Sequence, residues 1–391
     1  MEYLLSDVAA IESGAGFPME HQGIQDGVFP FLKVSDMNLS GNERAIKRWN
    51  NSVSEQVRSK LHAKAFPAGS LIFPKIGAAI GTNKKRQLTR PSCVDNNVMG
   101  VTPKPDLLDS EFLYYLFLTK NISDFASDSN PPSIRKSDVE RWSIKVPPLP
   151  EQCRIIDLLS RAEGIVRLRR DAEKMAAELI PALFLDMFGD PATNPKGWVE
   201  ARLSEIAEVV SGVTKGRRFG AKETVEVPYL RVANVQAGHL NMSEIKTIEV
   251  LPKEVEQLAL QLGDVVLTEG GDFDKLGRGA LWEHDIPNCI HQNHVFRVRL
   301  KRGLALPEFF VTYLQAGKAR EYFLRSAKRT TNLASINMTQ LRALPVVLPS
   351  LDVQRRFVER FNAARSIQTQ QLSATAKAKI TFDALLAQAF S

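Results

Sequence analysis

The 391-residue chain repeats itself. "LSDVAAIESG" (Leu5 to Gly14) returns as "LSEIAEVVSG" (Leu203 to Gly212), and "PFLKVSD" (Pro30 to Asp36) returns as "PYLRVAN" (Pro228 to Asn234). "GSLIF" (Gly69 to Phe73) pairs with "GDVVL" (Gly263 to Leu267), and "EFLYYL" (Glu111 to Leu116) with "EFFVTY" (Glu308 to Tyr313). Late in each half "SIRKSDV" (Ser133 to Val139) matches "SINMTQL" (Ser335 to Leu341), and "PPLPEQ" (Pro147 to Gln152) matches "PSLDVQ" (Pro349 to Gln354). The offset drifts only between blocks, so insertions fall in connections, where a fold tolerates them. One connection is longer in the second half: "TEGGDFDKLGRG" stands where the first half has "PKIGAAIG". Any fold for this chain must therefore be built from one unit used twice.

Within a unit, short apolar runs rich in Val, Ile, Leu and Phe and bounded by Gly, Pro and Asn predict strands. A helix is expected around Ser110 to Lys120, a shorter one from Ser133, and a proline-stopped strand at "SIKVPPLP". The unit is mixed α/β. After it the pattern changes, with apolar side chains at steps of three or four from Ile155 to Leu183 and again from Phe357 to Ala389. Each stretch predicts one long helix; roughly 35 residues give a rod of about 50 Å. Pro181 lies inside the first pattern and predicts a kink there. Two such amphipathic helices hide their stripes most simply by pairing antiparallel, the alternative being that each folds back on its own domain.

Composition excludes several classes. Hydrophobic residues make up 44% and charged residues 24% of the chain, and no apolar run reaches the roughly 18 residues of a membrane span. The opening "MEYLLSDVAAIESG" lacks the charged start and cleavage site of a signal peptide, so the cytoplasm is expected. Cys93, Cys153 and Cys289 are too few and scattered for a disulfide framework or zinc cluster. Cys93 and Cys289 align at an offset of 196 and read as small core residues. The net charge of +7 falls unevenly: residues 1–195 hold 24 basic and 24 acidic side chains, the remainder 27 and 20. That excess permits a polyanionic partner.

With "PPLPEQ" at the first domain–helix join and "LFLDMFGDPATNPKGW" (Leu183 to Trp198) between the halves, the chain resembles the specificity subunits of type I restriction-modification systems over essentially its full length. The resemblance implies mixed α/β target-recognition domains in two tandem copies, at 1–149 and 190–348. Each is followed by a long connecting helix, at 150–189 and 349–391, and the two helices form an antiparallel coiled coil with internal pseudo-twofold symmetry. It also implies a non-catalytic subunit without cofactor or membrane partner that reads a bipartite target in double-stranded DNA. Its helices would recruit two methyltransferase subunits and the restriction/translocase subunits. Two linked modules raise each other's effective concentration on a split target, and a duplicated chain suits two identical partners. The second connector departs from the pattern at Asp352 and Val353 and reads as a drifted copy.

Three basic segments are candidates for DNA contact. In "TNKKRQLTR", expected as a loop, Lys84, Lys85 and Arg86 would neutralise phosphates; the alternative is a solvated turn. The matching region of the second half offers Lys275 and Arg278. In "GVTKGRRFG" the glycines would allow close approach to phosphate, with Lys215, Arg217 and Arg218 supplying charge; the first half lacks those cations. The third segment leads into a helix expected to start at Ser335 as N-cap, with Arg325, Lys328, Arg329 and Asn332 beside it and Asn337 aimed at a base edge. Ser133, Arg135 and Lys136 hold that place in the first half. Arginine is the commonest reader of guanine, so Arg135 is the leading base contact, with a plain surface cap as the alternative.

"SNPPSIRKSDV" (Ser129 to Val139) raises an enzymatic reading, because Asn-Pro-Pro before an aromatic is how amino-methyltransferases grip a flipped base. Ser133 stands where the aromatic would be, and Pro131 and Pro132 become Leu333 and Ala334 in the repeat. The stretch reads as a helix entrance. "HQNH" sets His291 and His294 on opposite faces of an expected strand, a poor chelate, and Asp272 and Asp274 lack the further oxygens of a calcium loop. A DNA amino-methyltransferase and a protein-only scaffold remain the competing functions.

Overall fold

The computed structural model describes residues 1–271, 276–329 and 334–391, divided into two compact units. The first comprises Met1–Arg170 and Ala374–Ser391, the second Asp171–Ser373.

In the first unit a five-stranded sheet runs in the order Ala9–Ser13, Val98–Pro103, Leu71–Pro74, Arg86–Leu88, Ala45–Ile46. The first three pairings are antiparallel and the last parallel. A three-stranded sheet sets Phe29–Leu32 between Ser52–Val53 and Cys93–Val94, and Glu2–Leu4 pairs with Ser143–Lys145. The helix Ser110–Leu118 is capped by Asp109, whose side chain accepts the amides of Glu111 and Phe112. Phe112 to Phe117 are all buried, so this helix is sunk into the core rather than laid on it.

The second unit repeats the plan. Its main sheet runs Ala207–Ser211, Val295–Leu300, Val265–Thr268, Gly279–Leu281. Val225–Leu230 lies between Lys246–Val250 and Ile290–His291, Val199–Arg202 pairs with Pro345–Leu348, and the helix Pro307–Gln315 fills the core. An additional small sheet joins Gly270–Gly271, Ala334–Ser335 and Lys328–Arg329.

Strand register corrects one sequence match. Phe31 and Leu32 face Cys93 and Val94, while Tyr229 and Leu230 face Ile290 and His291. Cys93 thus corresponds to Ile290, and Cys289 corresponds to Ser92, each of the latter pair accepting one amide, from Leu260 and Phe66, at 2.8 Å. Identity of residue type suggests a match one position out of step, which in a strand means the opposite face. Both thiols are buried, and desolvation pushes them up to about 11 and about 12.

The first long helix runs Leu149–Ala177 and resumes as Leu179–Phe188. The break follows Ala177, the residue one turn before Pro181, whose ring clashes with that carbonyl and cannot bond to it. The last helix, Leu351–Ala389, is unbroken over 39 residues. In the first unit Leu159 near the start of one helix shares a core with Leu386 near the end of the other, and the Phe390 ring lies 5.0 Å from Phe112. In the second unit Phe184 and Phe188 meet Phe357, and Phe188 lies 4.9 Å from Phe309. Each unit is therefore closed by the start of one helix and the end of the other. Among the described residues no helix is long and apolar enough to cross a membrane.

Candidate nucleic-acid interface

The same hydrogen bonds gather four segments at one end of each main sheet. In the first unit the Ile134 amide donates to the Lys75 carbonyl at 2.9 Å, and the Lys75 amide donates to the Asn97 carbonyl at 2.9 Å. In the second unit Ile336 donates to Glu269 and Glu269 to His294, again at 2.9 Å. Beside these, the Ala15 amide bonds to Val94 and the Val213 amide to His291. The two glycines before those residues are required by close approach. A Cβ on Gly14 would come within 2.1 Å of the Asp95 carbonyl oxygen, and one on Gly212 within 1.8 Å of that of His291. Gly212 does not admit a phosphate, as its sequence context suggests, because its missing side chain makes room for the protein's own backbone.

The glycine turn, the end of a central strand, the tip of the turn before Val98 or Val295, and the segment before the short helix thus converge. Val213 of "GVTKGRRFG", Glu269 and Ile336, separate in sequence, are joined in the second unit through the turn at residues 291–294 and the Glu269 carbonyl. Lys215 and Arg218 are exposed there. Arg217 is committed to Glu254 by two hydrogen bonds of 2.6 and 2.9 Å, which raise its pKa further, and its guanidinium lies 5.1 Å from the Phe219 ring. Arg278 donates to Gln236 at 3.0 Å. Arg325 pairs with Glu321, one turn back in its helix, while Lys328 is exposed on the small sheet. Lys275, Asn332 and the Arg329 side chain lie outside the described residues.

The short helices begin later than expected. Ser133 bridges Ile76, with its hydroxyl near those of Ser127 and Ser129, and Arg135 is the N-cap of Lys136–Glu140 without a side-chain cap bond. Ser335 is likewise in a strand, and Asn337 caps Met338–Arg342 by accepting the Gln340 amide at 2.9 Å. Asn337 is exposed, and its side-chain oxygen is held by the amide of its own helix. Arg135 is exposed and makes no side-chain bond among the described residues; Lys136 pairs with Glu140 at 3.4 Å.

The "TNKKRQLTR" segment is not an open basic loop. Arg86 begins a strand and donates to the carbonyls of Lys85 and Met37. Lys85 is buried, and its ammonium donates to the Lys120 carbonyl at 2.6 Å and to the Asn83 side chain at 2.8 Å. Desolvation lowers it to about 8 despite the pull of Asp124. Lys84 bonds to Asn38.

Sequence reading passes over Lys75 and Glu269, which occupy one structural position with opposite charge. The Lys75 ammonium donates to the Ser13 hydroxyl at 2.9 Å. A Glu269 carboxylate oxygen lies 2.5 Å from His294 Nδ1, with the carboxylate 30% and the imidazole 55% exposed. The signal is present, because both residues follow the aligned "GSLIF" and "GDVVL" blocks at an offset of 194. His291 is separate from this pair: it is fully buried, and its Nδ1 lies 2.6 Å from the Val295 carbonyl oxygen.

A family profile described as "Type I restriction modification DNA specificity domain" matches residues 1–174 and 195–381. The chain is similar to the type I restriction enzyme EcoKI specificity subunit of Escherichia coli (strain K12), 26% identical over 318 residues covering 74% of this chain and 67% of that one. It is similar also to the MjaIX specificity subunit of Methanocaldococcus jannaschii, 28% identical over 300 residues covering 70% and 67%. Among solved structures, the type I restriction-modification S subunit from M. genitalium shares the fold with a TM-score of 0.57 at 16% identity, over 100% of this chain and 96% of that one.

Proposed function

This chain belongs to the type I restriction modification DNA specificity family, and from that premise we propose that it reads a bipartite target in double-stranded DNA, one part per unit. Methylation and cleavage are the work of other subunits; this chain is the non-catalytic one. The carrying observation is the convergence of the same four segments in both units on a shared backbone framework with different side chains. A common scaffold with divergent tips is what two related modules with different targets require.

On this reading Arg135, taken from sequence as a base contact, meets phosphate in the first unit, as Lys215, Arg218 and Lys328 do in the second. Arg86 and Lys85 hold the first unit together instead, and Lys136, Arg217 and Arg325 are shared with carboxylates. The two long helices pair antiparallel as a spacer with pseudo-twofold symmetry, connecting recognition domains at 1–149 and 190–348. Their outer faces recruit two methyltransferase subunits and, for restriction, the translocase subunits, in the cytoplasm. The closing of each unit by both helices supports this arrangement.

The test is modified-base sequencing of host DNA with and without this chain beside its partner subunits. A split motif with a fixed gap is expected only when the chain is present. Methylation of the same sites without it, or a single uninterrupted motif, would overturn the reading.

A further inference from the structure

The position shared by Lys75 and Glu269 carries a prediction about specificity that rests on the function proposed above. The backbone of each residue is tied on both sides, by the amide of Ile134 or Ile336 and by the carbonyl of Asn97 or His294. A residue bonded through both its N–H and its C=O has the direction of its Cα–Cβ bond set by the backbone. Each sits where the glycine turn, the central strand end and the helix approach meet.

Their chemistries are opposite. Glu269 is an acceptor in a unit whose candidate DNA-facing segments carry exposed cations at Lys215, Arg218 and Lys328. A carboxylate repels phosphate, so it cannot serve backbone positioning on DNA. In the major groove its favourable partners are the exocyclic amino groups, cytosine N4 and adenine N6. His294, 2.5 Å from that carboxylate, holds it in place. Lys75 is a donor only and fits guanine O6 and N7.

We propose that the residue ending this central strand is a base-reading position in both units: Glu269, held by His294, accepts from the amino group of a cytosine or adenine, and Lys75 donates to a guanine. The two units thus differ in base preference at one shared place by reversal of a charge.

The experiment is modified-base sequencing with the complete complex carrying Glu269→Gln or Lys75→Gln. Glutamine keeps the length of each site but removes the charge and can both donate and accept. Glu269→Gln is expected to lower preference at one cytosine or adenine position about tenfold or more, in one part of the motif, leaving the other part intact. Lys75→Gln is expected to relax a guanine position in the other part. Unchanged preference in both variants, relaxation at a guanine or thymine for Glu269→Gln, or equal loss across both parts would overturn the inference. A wild-type complex that yields no split motif would instead overturn the underlying function.

Discussion

Gln152 accepts the Asp109 amide through its side-chain oxygen at 2.8 Å, while its side-chain nitrogen donates to the Leu107 and Pro147 carbonyls, also at 2.8 Å. Gln354 repeats the arrangement with the amide of Leu306 at 2.9 Å and the carbonyls of Leu304 and Pro349 at 3.5 and 2.8 Å. Both side chains are fully buried. The first turn of each long helix is thereby fastened to the segment before the core helix of the same unit. This explains why "PSLDVQ" departs from "PPLPEQ" without consequence: Asp352 and Val353 vary while the glutamine stays.

Replacing either glutamine by alanine strands one buried N–H and two carbonyls. Gln152→Ala and Gln354→Ala are each expected to destabilise by about 2–3 kcal/mol, seen as a lower midpoint in urea or thermal unfolding. Stability within about 0.5 kcal/mol of wild type would show that water replaces the clamp.

His291 sets an acid limit on the second unit. Burial lowers it to about 4, against an ordinary value near 6.5, with the neighbouring Arg297 charge adding to the effect. Its folded-state pKa is depressed, so between about pH 6.5 and 4 the unfolded chain binds the extra proton and stability falls as pH drops. His291→Gln should flatten this part of the stability profile measured by denaturant titration at successive pH values. Lys85 works in the opposite range: lowered to about 8 by burial, it makes stability rise with pH from about 8 towards 10.5, a rise absent in Lys85→Met.

Among the described residues, cationic side chains divide into those without a carboxylate partner and those already engaged with one. Arg135→Ala, Lys215→Ala and Arg218→Ala should each weaken binding of the complex to its duplex and reduce the slope of log affinity against log salt by about 0.9 for each phosphate no longer neutralised. Arg217→Ala, which removes the pair with Glu254, should change that slope far less and cost under about 1 kcal/mol of stability. Equal slopes for all four variants would refute the division.

The repeat, the strand runs and the long helices are legible in the sequence because each depends on local periodicity and turn chemistry, which one chain carries by itself. Asn337 is legible too, since "NMTQ" is an Asn-x-x-Gln capping box, but the matched serines draw attention upstream of the actual helix start. Lys85 is not legible. Its burial follows from Lys120 and Asn83 arriving from elsewhere, and in sequence its charge reads the same as that of its exposed neighbours. The shared position of Lys75 and Glu269 can be read from the aligned blocks, but its place beside the helix approach cannot, because the contact between "PKIGAAIG" and "NPPSIR" is a tertiary event that alignment of the halves does not display.

The aromatic anchors at the helix ends separate the stability of the two units. Phe188 and Phe390 occupy matching places, facing Phe309 and Phe112 at 4.9 and 5.0 Å, but Phe188 is 1% exposed whereas Phe390 is only partly buried. Phe188 also touches Phe184 and Phe357. Phe188→Ala should therefore cost about 3–5 kcal/mol, and Phe390→Ala distinctly less because part of its ring already faces water. Each destabilisation should fall on its own unit: amide exchange is expected to quicken within residues 171–373 for Phe188→Ala, and within 1–170 and 374–391 for Phe390→Ala. Equal acceleration in both sets by either variant would mean that the two units unfold as one.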